Sequence, residues 1–274
     1  MEKLFDRSWG YHPYEFRVEG EIPNYIHDYT FAVIDTHEEE ATVTHIHTHL
    51  DKDFVILKKS SNLEISLLPK DKKSFEDLIK KKSSQAPLGL VLVGGKSERM
   101  GRDKFSLEIQ NETLVSLAYK KLSKVCPEVF LSCRKEQGDH AALKPFPQIH
   151  DRFMSLGPTG GIMSAMVEHP TRPWLVLACD LPMIGEESLK DLVLTRDPLK
   201  VATCYSSPVK RGVDPLCALY EPKSLMRFFE FIALGSYCPR KMLNNSPVHI
   251  LQIKKKEELQ NFNTPEEFQK LIGK

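Results

Sequence analysis

The chain has almost no net charge, no long apolar run and no closely paired cysteines. Its 38 Lys+Arg against 37 Asp+Glu give a net charge of +1, so it lacks the basic excess of a bulk nucleic-acid binder. The longest apolar runs are strand-sized pieces such as residues 174–179, far below the ~20 residues of a membrane helix. The opening Met-Glu-Lys-Leu-Phe-Asp has no signal-peptide core, and the cytoplasm is the expected location. The six cysteines (126, 133, 179, 204, 217 and 238) form no C-x-x-C pair. That spacing predicts free, mostly buried thiols rather than a disulfide framework or a metal cluster. What remains is an ordinary soluble composition, 41 % hydrophobic and 27 % charged over 274 residues, enough for one large domain or two of usual size.

Two stretches differ in character. Up to Gln85 there are 12 Lys+Arg and 16 Asp+Glu, a net charge of −4 that leaves the remainder near +5. Short β-type runs at 14–18, 29–34, 41–47, 54–57 and 63–68 predict a small strand-rich module. A short charged helix is expected over 74–82, and Lys80-Lys-Lys-Ser-Ser-Gln-Ala-Pro87 reads as a solvated linker. The domain boundary is therefore placed near residue 85, giving 1–85 and 86–274. If Thr44-His-Ile-His-Thr-His49 is a strand, His45, His47 and His49 share one face, about 6.5–7 Å apart. Two of them would suit a transition metal, but a solvent-facing stripe is the favoured reading, and the role of this module stays open.

From Leu88 onward strands and helices alternate, which predicts an α/β fold with a mostly parallel sheet. Strands are expected at 88–93, 129–133, 174–178, 200–205 and 248–253. Leu114, Leu117, Ala118 and Leu122 mark one face of a helix. Thr264-Pro265-Glu266-Glu267 offers a cap, a first-turn proline and a capping-box glutamate for a last helix.

The densest signal is Leu90-Val-Leu-Val-Gly-Gly-Lys-Ser-Glu-Arg-Met-Gly-Arg-Asp-Lys104. An apolar strand breaks into Gly94 and Gly95, which allow a sharp turn and close backbone approach to a ligand. Lys96, Arg99, Arg102 and Lys104 then crowd positive charge at the strand's carboxyl end, where ligands of open α/β sheets bind. The pattern points to phosphate, and to a nucleoside triphosphate first. A P-loop does not fit, because Gly89 lies one residue too far upstream of Gly95-Lys96-Ser97. The spacing of Gly94, Gly95 and Gly101 also fails the dinucleotide fingerprint.

This segment resembles the signature L-A-G-G-x-S-x-R-M-G-x-D-K of the molybdenum cofactor guanylyltransferases, the MobA-like nucleotidyltransferases. Asp151-Arg-Phe-Met-Ser-Leu-Gly-Pro-Thr-Gly-Gly161, Leu175-Val-Leu-Ala-Cys-Asp-Leu-Pro182 and Asp214-Pro-Leu-Cys-Ala-Leu-Tyr220 follow in the same order. Cys238-Pro-Arg-Lys241 and Asn261-Phe-Asn-Thr-Pro-Glu266 complete the series. The likeness spans about 86–273 and implies a Rossmann-like sheet of nucleotidyltransferase type, preceded by the small β-rich module. It implies GTP and a molybdopterin-type acceptor as substrates, Mg²⁺ as cofactor, and other proteins of molybdenum cofactor biosynthesis as partners. Transfer of cytidylyl to another phosphorylated acceptor, or a non-catalytic nucleotide-binding scaffold, are the alternatives.

The resemblance also distributes roles. Arg99 and Lys104 would stabilise charge on the leaving pyrophosphate, and Leu92, Val93, Gly94 and Gly95 would line the nucleotide through their backbone. Asp180 ends a strand on the ligand side of the sheet and would hold the Mg²⁺, a cation that prefers oxygen ligands. Asp151, Gly157 and Gly161 would approach the base and ribose. Asn263 occupies a site-facing place in the pattern. The chain departs from the signature at Val93, where alanine is usual, and at Leu131-Ser132-Cys133-Arg134, where the family often carries asparagine.

Overall fold

Seven strands form the central sheet of the computed structural model, in the order Val248–Leu251, Ala202–Ser206, Val213–Tyr220, Trp174–Ala178, Leu88–Leu92, Val129–Cys133 and Gln148–His150. The structure describes residues 32–35, 56–59, 84–93, 103–208, 211–262 and 267–269. In the first stretch, β1 (Ala32–Asp35) and β2 (Ile56–Lys59) pair in parallel and overlap two of the expected runs. The other three runs, the histidine stripe and the 74–82 helix lie outside the described residues, as do Thr264, Pro265 and Glu266.

The sheet strands are β3 (Leu88–Leu92), β6 (Val129–Cys133), β7 (Gln148–His150), β8 (Trp174–Ala178), β9 (Ala202–Ser206), β10 (Val213–Tyr220) and β11 (Val248–Leu251). A two-residue hairpin, β4 (Glu108–Ile109) with β5 (Glu112–Thr113), stands apart from it. β10 runs antiparallel to both β8 and β9; every other pairing in the sheet is parallel. Neither β7 nor β10 is among the sequence-based strands. β7 has only three residues, and Pro215 interrupts β10, a residue found in sheets at edges and bulges. The β9–β10 register does shift between Val213 and Ala218.

Helices cover both faces, as a parallel sheet requires. Leu88, Leu90 and Leu92 enter one core layer with Trp174 and Val176, while Val91 and Val93 enter the other with Leu175 and Leu177. Burying one such side chain contributes roughly 1.5–3 kcal/mol, so both faces are held firmly. α1 (Leu114–Leu122) starts at Thr113, whose hydroxyl accepts from the Ser116 amide at 3.3 Å. It buries Leu114, Val115, Ala118 and Leu122, with Leu117 partly buried against the same core. Gly89 lets it come close: a Cβ there would lie 2.9 Å from Val129 and 3.3 Å from Leu122.

α3 (Glu186–Leu194) shares that face; α2 (Pro158–Glu168), α4 (Ser224–Ala233) and α5 (Pro239–Asn244) cover the other. Strand order reverses beside β3, since β6 follows it on one side and β8 on the other. The crevice at the carboxyl ends of β3 and β8 is therefore the switch point where such sheets take ligands. At the opposite end, Arg172 donates to Ala86 O at 2.9 Å and Arg196 to Gln85 O at 2.7 Å. The chain thus enters the sheet from the side away from the crevice.

Candidate nucleotide site

Two groups of side chains meet at the switch point. The first joins residues 76 positions apart in the chain: Lys104 Nζ lies 3.3 Å from Asp180 Oδ2. The ammonium also donates to Phe262 O at 2.5 Å and sits 5.2 Å from the centre of the Phe262 ring, a cation–π arrangement. Local structure fixes its position. Phe105, the next residue, is buried and stacks edge-on against His140 at 5.0 Å. Ser106 Oγ closes the turn by donating to Asp103 O at 2.8 Å.

Asp180 follows β8 in a turn clamped from two sides. Lys121 of α1 donates to Pro182 O at 2.6 Å and Ile184 O at 2.8 Å. Glu258 accepts from the Gly185 amide at 2.9 Å and from Ser188 Oγ at 2.6 Å. Burial pushes the Asp180 carboxyl above the usual carboxylate range; the Lys104 ammonium opposes this, and the charge of Asp214 adds to it. Burial likewise lowers the proton affinity of Lys121, against Glu258 and Glu186.

A cation can be tested against this geometry. Asp180 Oδ1 is buried and has no hydrogen-bond partner among the described residues. Such an oxygen is costly to leave bare, and a hard divalent cation is a ligand that would satisfy it. The donor fits Mg²⁺.

The second group lies at the ends of β6 and β7. Ser132 Oγ donates to Asp151 Oδ1 at 2.8 Å, and the Asp151 amide donates to Cys133 O at 2.9 Å. Ser132 O accepts from the Val93 amide at 3.3 Å. Burial raises the Asp151 carboxyl above its ordinary value, while Ser132, Arg134 and His150 pull it back. Gly157 caps α2 at φ +58°, a left-handed geometry that favours glycine. At Gly161 a Cβ would fall 2.1 Å from Ser132 Oγ and 3.3 Å from Asp151 Oδ1. Glycine there is what allows the helix to rest on the carboxylate.

Among the sequence-based candidates, Lys104 and Asp180 come together, as do Asp151 and Gly161. Leu92 turns its side chain into the core, so only its backbone faces the crevice, where Leu92 O accepts from the Cys179 amide at 3.1 Å. Val93 is also buried in the core. Gly94, Gly95, Arg99 and Asn263 lie outside the described residues. Lys121 and Glu258 carry no sequence motif that would have marked them; Phe262 lies within the Asn261–Glu266 motif, but its carbonyl, like both of them, acts through a contact made only in the folded chain. All six cysteines are free and five are buried. Among the described residues no helix is long and apolar enough to cross a membrane.

The sheet order and the crevice define a nucleotidyltransferase-type fold, and solved structures share it. Molybdopterin-guanine dinucleotide biosynthesis protein A from Archaeoglobus fulgidus superposes with a TM-score of 0.58 at 21 % identity, covering 68 % of this chain and 97 % of that one. A protein of Aquifex aeolicus gives 0.53 at 24 % identity, over 66 % and 97 %. Residues 89–249 match the model of the MobA-like NTP transferase domain, and the chain belongs to that family. It is 36 % identical over 186 residues to a molybdenum cofactor biosynthesis bifunctional protein of Synechocystis sp., covering 68 % of this chain but 54 % of that protein. The chain thus spans about half the length of that relative. It is 28 % identical over 186 residues to a probable molybdenum cofactor guanylyltransferase of Nostoc sp., covering 67 % and 89 %.

Proposed function

We propose that this nucleotidyltransferase moves a guanylyl group from GTP to the terminal phosphate of a molybdopterin-type acceptor. The observation that carries the reading is the meeting of Lys104 and Asp180 at the switch point, with one Asp180 oxygen still unpaired. The name of the Nostoc relative supports the choice of acceptor and base, and that of the Synechocystis relative the molybdenum cofactor connection alone.

In the reaction an acceptor phosphate oxygen attacks the α-phosphorus, the bond from that phosphorus to the α–β bridging oxygen breaks, and pyrophosphate leaves with the electron pair. The protein's share is positioning and charge compensation. Lys104 offers its ammonium to the negative charge of the leaving group, held on line by Phe262 O and the ring beneath it. Asp180 would hold Mg²⁺, which when bound neutralises triphosphate charge. The turn clamped by Lys121 and Glu258 keeps that carboxylate from rotating away. Asp151, fixed by Ser132, presents its second oxygen as an acceptor suited to the ring N–H and amino group of guanine. The backbone of Leu92 and Val93, with Gly94 and Gly95, would cradle the nucleotide, and Arg99 would join Lys104 on the phosphates. Residues 1–85 form a separate module in this reading, and the reaction belongs to the cytoplasm.

The full chain with Mg²⁺, molybdopterin and each triphosphate in turn, monitored for pyrophosphate, tests this. Acceptor-dependent release with GTP is expected. Strict preference for CTP would overturn the base assignment, and no release with any triphosphate would favour a non-catalytic scaffold.

A further inference from the structure

Asp180 is one carboxylate, and the reading above gives the cation no second protein oxygen. β10 brings one to the same rim. It runs antiparallel to β8 with Cys217 opposite Leu177. Running antiparallel, β10 therefore carries its amino end past the carboxyl end of β8, which Asp180 follows; Asp214 lies in that part of β10, where the register with β9 shifts, and its charge is felt at Asp180. The ladder with β8 ends at Cys217, and Pro215 has no amide hydrogen to extend it.

Asp214 is 9 % exposed. One of its oxygens accepts from the Leu216 amide at 2.9 Å, and the other lies 3.6 Å from Arg240 Nη2. Arg240, in α5, is itself anchored by a hydrogen bond from Nη1 to Val213 O. A carboxylate offers about four lone-pair directions, so these two contacts leave acceptor capacity over. Two carboxylates at one rim repel. Here each has one cation behind it, Lys104 for Asp180 and Arg240 for Asp214, and the buried, unpaired Asp180 Oδ1 is available at the same rim.

We propose that Asp214 is a second acidic contact for the divalent cation that accompanies the triphosphate, fixed in orientation by Arg240. The inference rests on the metal-dependent nucleotide reading above. If Asp214 served only to anchor Arg240, its loss would lower stability and leave cation binding alone.

Mn²⁺ retained by the full chain in the presence of GTP or CTP, followed by its paramagnetic resonance signal, reads the cation directly. Asp214→Asn is expected to weaken Mn²⁺ binding about 10- to 100-fold, the range seen when a supporting metal contact is removed. Asp180→Asn should weaken it at least as much. Because Asp214→Asn leaves Arg240 without its counter-charge, Asp214→Asn/Arg240→Gln removes both charges together and should show the same loss. Wild-type Mn²⁺ affinity in either folded variant would overturn the assignment and leave the functional reading standing. Failure of the wild type to retain Mn²⁺ with either triphosphate would overturn both.

Discussion

Two ion pairs sit at opposite ends of the same sheet and are built differently. At the amino ends of the parallel strands, Arg196 grips Glu221 with two bonds, Nε to Oε1 at 2.6 Å and Nη2 to Oε2 at 2.7 Å. Both carboxylate oxygens are met, and Glu221 is 1 % exposed. At the carboxyl ends, Lys104 meets one oxygen of Asp180 at 3.3 Å and the other has no hydrogen-bond partner among the described residues. A bidentate, fully satisfied pair orients planar groups and leaves nothing over. A one-sided pair next to a buried bare oxygen is poor for stability, and such sites persist where a ligand completes them. The contrast separates a structural clamp, which also holds Gln85 and so the entry of the chain, from the pair to which the proposed reading assigns the cation and the triphosphate.

The sharpest way to break this contrast is to neutralise one carboxylate in each pair. Asp180→Asn should lower pyrophosphate release on the order of a thousandfold, the scale of losing a charge-stabilising contact in the transition state. Its melting temperature should hold or rise, as functional groups are not placed for stability. Activity within a few-fold of wild type would remove Asp180 from the mechanism. Glu221→Gln should do the reverse. Leaving Arg196 without its counter-charge costs about 3 kcal/mol, visible as an earlier urea midpoint, with kcat/KM of the folded enzyme unchanged.

The Ser132–Asp151 group allows finer tests. Gly161→Ala forces a methyl onto Ser132 Oγ and should destabilise by about 1–3 kcal/mol. Adding Ser132→Ala should recover part of that loss in a double-mutant cycle; strict additivity would show that the helix does not rest on the hydroxyl. The smallest effect concerns pH. Burial holds the Asp151 carboxyl above its unfolded value, which lies near 3.9. The folded state thus binds this proton more tightly, so the associated stability is complete below about pH 3.9 and is lost as pH rises through the folded value. Asp151→Asn has no such titration. The melting temperature of wild type relative to that variant should therefore fall from pH 4 toward neutrality, and a flat difference would contradict the burial of Asp151.

Much of the sheet was legible because its strands are short, mostly apolar and separated by helical patterns, and because α1 repeats its apolar face at helical spacing. Lys104 and Asp180 were legible as residues at strand ends. Their pairing needed β8 to lie beside β3, which the sheet order supplies. β10 was hidden by Pro215, which breaks the ladder that a strand of that composition would otherwise form. With β10 hidden, Asp214 could not be placed at the end of the sheet that carries Asp180. The Ser132–Asp151 bond escaped for a similar reason: it joins the ends of two neighbouring strands, one of them only three residues long.

Asp180 Oδ1, buried and without a partner among the described residues, is where the proposed divalent cation would bind. A crystal of the full chain grown with Mn²⁺ and a non-hydrolysable GTP analogue, measured at the manganese absorption edge, tests it directly. An anomalous peak is expected at coordination distance from Asp180 Oδ1, between that oxygen and the triphosphate. A nucleotide bound with its manganese on other ligands, and Asp180 Oδ1 still without a partner, would contradict it.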